Sequence, residues 1–411
     1  GTRRKNIGIE FTLTTGSERP PKTQFPCKMI GQGRAAIGWR MLENRTALIN
    51  MKNTYQNVKE IKGVRMYRET MGGVKPAGEI TADVVVGLQY GDCGKGKITH
   101  DLCKNGHYTH VMRFGGGPNA GHTIYHEGQK LVTHHIPSGV FFGIKSIIGN
   151  GCVIDPYALL QEIKDLEAAG IDVVSNLRIA QNAHIITKEH KNEDKRDEKI
   201  GTTRRGCGPA YRDKYGRSGV HAGGCSFVGE LAFMKDLVID LYEEFYSDKN
   251  TYVLCEGAQG FGIDIDWGDY PYVTSSHCTT AGALLNGIPP QAINRVWGAA
   301  KVYETYVGAK NFQGDDPLLE QLQEVGQEFG ATTGRKRQTN WIDLDFLAKS
   351  CRMNGVTDLV INKMDVMREV MGDEEWESDF RHRVSNVAEQ CGVPRVYFSD
   401  NPYSILSQEA A

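Results

Sequence analysis

The segment Gly91-Asp92-Cys93-Gly94-Lys95-Gly96-Lys97 places three glycines and two lysines within seven residues. Glycines at 91, 94 and 96 let the backbone turn tightly and bring amide N–H groups against phosphate oxygens, a charge that the N-terminus of a following helix also favours. Lys95 or Lys97 can then reach a phosphate. The segment is neither Gly-x-x-x-x-Gly-Lys-Ser/Thr nor Gly-x-Gly-x-x-Gly, so taken alone a glycine-rich surface turn explains it as well. An anion at position 92 is unfavourable beside phosphates unless it serves Mg²⁺ or a proton transfer, which marks Asp92 as functional by position.

Asn362-Lys363-Met364-Asp365 raises the odds of a nucleotide site. It has the Asn-Lys-x-Asp form that reads guanine: the carboxylate accepts from the base N1–H and 2-amino group while the lysine stem packs on the ring. Adenine offers neither donor. An acceptor left unpaired costs about 1–3 kcal/mol, so Asp365 would discriminate by roughly tenfold or more. A second flexible loop, Gly115-Gly116-Gly117-Pro118-Asn119-Ala120-Gly121-His122-Thr123, holds a histidine that could offset charge on a phosphoryl group in flight. Its rival reading is a structural histidine.

Two double-threonine loops add hydroxyls and guanidiniums: Gly201-Thr202-Thr203-Arg204-Arg205-Gly206 and Thr332-Thr333-Gly334-Arg335-Lys336-Arg337. Both suit phosphate, and arginine forks two residues apart also suit a dicarboxylate. A solvated charge run is the alternative.

The elements that must position these residues follow from the apolar runs. Val84 to Leu88 reads as a short buried strand leading into the glycine-rich turn, and residues 98–102 as the opening of a helix, the context of a phosphate site. Runs at 147–148, Leu177–Ala180, 253–254, 296–302 and 359–361 alternate with helical stretches at 156–169, 229–246 and Leu344–Asn354. This is an α/β fold with a mostly parallel central sheet flanked by helices. The charged stretch 190–199 reads as a solvated excursion, and Gly314-Asp315-Asp316 as another.

Residues 1–80 differ, with 15 Lys/Arg against 6 Asp/Glu, although the 411-residue chain has a net charge of only -2. We expect an N-terminal extension at 1–80 ahead of a catalytic domain at 81–411; the spacing at 34–61 admits a basic helix-turn-helix that could take nucleic acid, which the core has no charge reason to bind. Ten cysteines without any Cys-x-x-Cys point to free thiols, and no run is apolar enough to span a bilayer, so a cytoplasmic protein is expected.

Taken together with IPSG, IGNG, EGAQG and DYPYVTSS, the stretches GDCGKGK, NAGHT, IGTT, GCGPAY, ATTGRKR and NKMD resemble the adenylosuccinate synthetase family, strongly over residues 83 to about 366. The resemblance implies a P-loop-NTPase-like fold and the GTP-dependent joining of IMP to L-aspartate, an enzyme of purine biosynthesis that uses Mg²⁺ and acts as a homodimer. By matching positions, Asp92 looks like the base that takes the N1 proton of IMP and a Mg²⁺ ligand together with the Gly121 carbonyl. His122 looks like the group assisting phosphoryl transfer to O6. Lys95 is the third catalytic match; Gly91, Gly94, Lys95, Gly96 and Lys97 resemble the GTP phosphate site, and Lys363 and Asp365 the guanine site. Asn119, Thr203, Gln259, Thr274 and Arg335 resemble IMP contacts, with Arg217 lent by the partner subunit. Thr332, Thr333, Arg335 and Arg337 resemble the aspartate loop.

Four departures sit at substrate or nucleotide margins of the family pattern: Cys93 for a glutamate, Arg204 for a glycine, Tyr306 for an arginine, and Ser399-Asp400-Asn401-Pro402 for a glycine-bearing turn. The length of the core resembles the compact archaeal and phage members. The latter carry aspartate onto dGMP, and typically replace the loop aspartate that is retained here. A GTP-binding regulatory module that binds DNA through its basic segment is the rival from another class.

Overall fold

In the computed structural model, which describes residues 78–405 other than 197–198, 248, 331–333 and 373, Ile80–Gly87 (β1) is buried at every position except Thr81. A strand covered on both faces reads as a continuous apolar run. Val84 and Val86 enter one core with Met112 and Phe114, while Val85 enters the other with Ile98, Val111 and Leu254. Each such side chain contributes about 1.5–3 kcal/mol by leaving water.

The other strands are β2 (His110–Arg113), β3 (His122–His126), β4 (Gln129–Thr133), β5 (Lys145–Ile148), β6 (Val153–Ile154), β7 (Leu177–Ala180), β8 (His184–Ile185), β9 (Val238–Ile239), β10 (Thr251–Glu256), β11 (Ile293–Lys301), β12 (Tyr303–Tyr306), β13 (Gln338–Trp341), β14 (Asp358–Asn362) and β15 (Arg395–Phe398). Nine form one sheet in the order β15-β14-β11-β1-β10-β2-β5-β7-β9, parallel at every pairing. After β1 the chain runs outward to β9, returns to β10 on one flank of β1, and then builds β11, β14 and β15 on the other flank. The direction of winding therefore reverses at β1. The crevice beyond the carboxyl ends of strands at such a reversal is where open α/β sheets bind ligands. β3–β4 and β12–β13 are antiparallel ribbons beside it.

The α/β expectation and the helices at Lys95–Asn105, Pro156–Ala168 and Leu344–Asn354 agree with the structure. Two expectations do not. The helix expected over 229–246 is a 3₁₀ stretch at Gly229–Leu237, then β9, then a short helix at Leu241–Phe245. Val238 and Ile239 pair with the sheet edge at β7, and the Asp240 carboxylate then caps a new helix by accepting from Tyr242 N at 2.8 Å. Nor is the charged stretch from 190 a simple solvated excursion: most of its described residues are exposed, as expected, but two are buried anchors. Thr187 and His190 form a capping box that opens a helix at Lys188–Asp194. His190 is buried against Asp213 at 3.0 Å, and Asp194 accepts from Gly206 N at 2.7 Å.

The described residues belong to one compact unit, Lys75–Ala411, and no described helix is long and apolar enough to cross a membrane. The basic segment with its helix-turn-helix spacing falls outside the described residues.

Candidate active site

β1 ends directly in the glycine-rich loop, and the next helix begins at Lys95. Gly91 at φ 101° and Gly94 at φ 87° take left-handed conformations; so does Asp92, at φ 50°. Strain of about 1–2 kcal/mol at a non-glycine residue persists where surrounding structure dictates it, and such positions gather at functional sites. Gln259 at φ 54° and Lys363 at φ 68° share the trait. A Cβ on Gly94 would meet Asn362 Nδ2 at 2.8 Å. That nitrogen donates to the Cys93 carbonyl at 2.8 Å. The first residue of the Asn-Lys-x-Asp motif thereby clamps the phosphate loop to the end of β14.

Lys95 is buried and donates to the Gln259 carbonyl. Lys97 turns elsewhere, donating to Ser399 Oγ at 2.6 Å and the Asn401 carbonyl at 3.0 Å. Burial lowers its pKa to about 8, opposed by the nearby Asp365 carboxylate. Lys363 Nζ donates to the Gly326 carbonyl at 3.0 Å, and Asp365 stands exposed in the first turn of the helix Met364–Met371. Lys97 thus lies near Lys363 and Asp365, and none of the three lines the cavity described next.

A cavity of about 450 Å³ opens at the carboxyl ends of the strands. It brings together Gly91, Asp92, Lys95, Asn119, Gly121, His122, Thr202, Thr203, Gln259, Thr274 and Arg335, drawn from stretches expected to carry chemistry. Gly94, Gly96, Arg217 and Arg337 do not line it. Arg217 lies exposed at the C-terminal cap of the helix Cys207–Gly216. Thr332 and Thr333 fall outside the described residues.

Two buried ion clusters support the cavity wall. In the first, Glu256 at the end of β10 is fully buried; its Oε1 accepts from His122 Nδ1 and, at 2.9 Å, from Arg113 Nη2, and its Oε2 accepts from Ser138 N at 2.9 Å. Burial would raise the Glu256 carboxyl, but Arg113 and His122 outweigh it and hold the pKa at about 2. Burial, with Arg113 adding to it, lowers His122 to about 4. His122 is therefore neutral with its Nδ1 proton fixed on Glu256, and its buried Nε2 has no partner among the described residues.

In the second cluster, Asp92 Oδ2 lies 3.0 Å from Arg337 Nη2, and Arg337 Nη1 is paired with buried Glu328. Glu328 also accepts from Tyr303 Oη at 2.6 Å and Lys301 Nζ at 3.1 Å. Arg335 directs its fork to the carbonyls of Gly201 at 3.0 Å and Thr202 at 3.3 Å, joining the two double-threonine loops. The Gln259 amide nitrogen, buried at the cavity, is unpartnered among the described residues. Such atoms suit a polar substrate that completes their bonding.

Of the three single-residue departures, only Tyr306 lines the cavity. Cys93 is fully buried in the core with Val85 and Ile98 beneath the loop, so it does not touch a substrate margin; the thiol fills apolar space. Arg204 is exposed and does not line the cavity. Tyr306 does line it, packed edge-on to Tyr90, and the turn at 399–401 holds Lys97. The sequence reading gives no role to Glu256, Arg113 or Glu328; a charged residue closing or interrupting an apolar strand, as at 113 and 256, is the signal that points to two of them.

Fold and site together define a nucleotide-handling α/β enzyme with a carboxylate and a histidine facing one cavity. The profile of the adenylosuccinate synthetase family matches residues 84–237 and 231–372. Adenylosuccinate synthetase of Chlorobium limicola is 42% identical over 70% of this chain and 77% of its own. That of Bacteroides thetaiotaomicron is 41% identical over 69% and 78%. Among solved structures, a fully ligated adenylosuccinate synthetase from Plasmodium falciparum superposes with a TM-score of 0.68 at 26% identity, covering 79% of this chain and 98% of that one. Succinoaminodeoxyadenylate synthetase of cyanophage S-2L, bound to dGMP and dATP as an energy donor, superposes at 0.62 with 22% identity over 79% and 93%, a likeness of fold. The chain belongs to the adenylosuccinate synthetase family.

Proposed function

We propose that the protein ligates L-aspartate to IMP at the expense of GTP, giving adenylosuccinate, GDP and phosphate. The observation that carries this reading is the gathering of Asp92, Lys95 and His122 around one cavity with Asn119, Gln259 and Thr274. The volume suits a nucleotide-sized ligand. In this reading Asp92 takes the N1 proton of IMP, which makes O6 nucleophilic enough to attack the γ-phosphorus of GTP. The O6–P bond forms as the bond to the GDP oxygen breaks. The aspartate amine then adds at C6 and expels phosphate, a far better leaving group than the original oxygen.

His122 faces the phosphoryl group through Nε2. A polyanion there favours the imidazolium, so the positive charge arrives with the substrate while Glu256 holds the ring. Lys95 and the amides of Gly91, Gly94 and Gly96 hold phosphates; Lys363 and Asp365 read guanine, with Lys97 packed beside them. Thr203 joins the IMP contacts. Thr332, Thr333, Arg335 and Arg337 form the aspartate loop, and Arg335 also borders IMP. The Asp92 carboxylate and the Gly121 carbonyl are hard oxygen donors on the same cavity, which fits Mg²⁺, an ion that takes few protein ligands and neutralises phosphate charge. The exposed Arg217, away from its own cavity, fits an arginine lent to a second copy, so the active form is a homodimer.

Purified protein supplied with GTP, Mg²⁺, L-aspartate and either IMP or dGMP tests the reading. Adenylosuccinate formed from IMP is the expected result. Turnover of dGMP without IMP would overturn it in favour of the phage-type reaction.

A further inference from the structure

The ligation assigns no part to Glu328, yet this carboxylate is completely buried next to the reacting groups. Its two oxygens meet Lys301, Tyr303 and Arg337, and Arg337 carries the contact onward to Asp92 Oδ2 at 3.0 Å. Two cations and two anions form a closed, neutral set, so no member can shift without leaving a neighbour uncompensated in a low-dielectric surrounding. The backbone repeats the coupling: Arg337 N donates to the Glu328 carbonyl at 2.9 Å. Lys301 is itself fixed by Thr305 Oγ1 at 2.6 Å, at the start of the β12–β13 ribbon. One branch of the Arg337 fork is thus tied to a rigid interior and the other is presented to the loop carboxylate. A guanidinium held at one end has a defined direction at the other.

We propose that Glu328 is a positioning residue for the ligation, setting through Arg337 where the Asp92 carboxylate stands. This rests on the ligation reading above. Without the Glu328 charge the guanidinium is free to take Asp92 with both branches, withdrawing that carboxylate from the purine.

The test uses the full chain, assayed with GTP, IMP, L-aspartate and Mg²⁺. Glu328→Gln should lower kcat roughly 10- to 100-fold, the range for partners that orient a functional group, with the KM for IMP changed less than about twofold. Glu328→Asp should recover part of kcat. In an Arg337→Met background Glu328→Gln should add no further loss, since the route is already cut. A Glu328→Gln enzyme with wild-type kcat, or losses that multiply in the double variant, would overturn the inference. Should Glu328→Gln fail to fold, the charge-balanced pair Lys301→Met with Glu328→Gln reads the same quantity: reduced kcat supports the inference, and wild-type kcat refutes it. An unaltered protein that makes no adenylosuccinate refutes the ligation reading and this inference with it, a result distinct from an active enzyme indifferent to position 328.

Discussion

The two ion clusters behind the cavity solve opposite problems. Around Glu256 both carboxylate oxygens are engaged, His122 and Arg113 are buried with it, and His122 Nε2, which lines the cavity side, is left for a ligand. Around Glu328 both carboxylate oxygens are likewise engaged, but the group offered to the cavity, Asp92, is already held by Arg337 at a solvent-bordering contact, with side chains 29% and 12% exposed. The histidine side is finished before substrate arrives. On the proposed ligation the aspartate side has one contact to exchange, because Asp92 as base would have to meet the N1 proton instead of a guanidinium. A site can therefore be preorganised in one half and adjustable in the other, at equal burial of the charges that support it.

The largest effect that separates the halves is expected from Asp92→Asn, which keeps shape and removes the base. It should lower kcat about 10²- to 10⁴-fold, read by steady-state kinetics on a protein whose thermal unfolding is little changed. Glu256→Gln strikes the finished half. It strands Arg113 and should cost about 3–5 kcal/mol of stability in urea unfolding, with kcat falling as the ring loses its orientation. If Glu256→Gln leaves stability intact, the two halves are not built differently. Asp365→Asn lies outside both clusters and should raise the KM for GTP by roughly tenfold at unchanged kcat, since an amide offers the base a donor where it needs an acceptor.

The smallest effect is a pH dependence that the two clusters do not supply. Glu256 and Glu328 have pKa values lowered to about 2, so the stability they add is complete above the ordinary value of 4.5 and lost as pH falls below it. His122, lowered from 6.5 to about 4, adds a loss as pH falls through that window. Glu304 runs the other way: burial raises it from 4.5 to about 8, so the folded protein keeps a proton the unfolded chain has released. Between pH 6.5 and 7.5 Glu304 by itself contributes a fall in stability of at most about 1.4 kcal/mol per pH unit. Glu304→Gln should flatten that slope in urea titrations, and an unchanged slope would assign it to other groups.

What was legible in the sequence is what neighbours in sequence decide. The strand, loop and helix from Ile80 to Asn105 announce themselves by an apolar run, three glycines and two lysines. The Asn-Lys-x-Asp motif likewise sits at a strand end and is read locally. The supports were not legible, because His122 and Glu256 are 134 residues apart and meet only when β10 inserts beside β2. Cys93 misled for the same reason: its direction into the core depends on Val85, Ile98 and Leu254, which no local pattern shows. The stretch at 190–199 is mostly exposed, as its charge suggests, but its capping box and its buried anchors His190 and Asp194 are not read from charge.

The order of the central sheet also sets a timetable for making the molecule. β1 emerges early in synthesis, yet its two neighbours, β10 and β11, begin at Thr251 and Ile293. At ordinary translation rates roughly ten seconds or more pass before the first of them leaves the ribosome. For that interval Val84, Val85 and Val86 have no sheet to enter, and the glycine-rich loop is the end of an unpaired apolar strand. The feature that covers β1 on both sides in the finished enzyme leaves it waiting longest in the nascent chain.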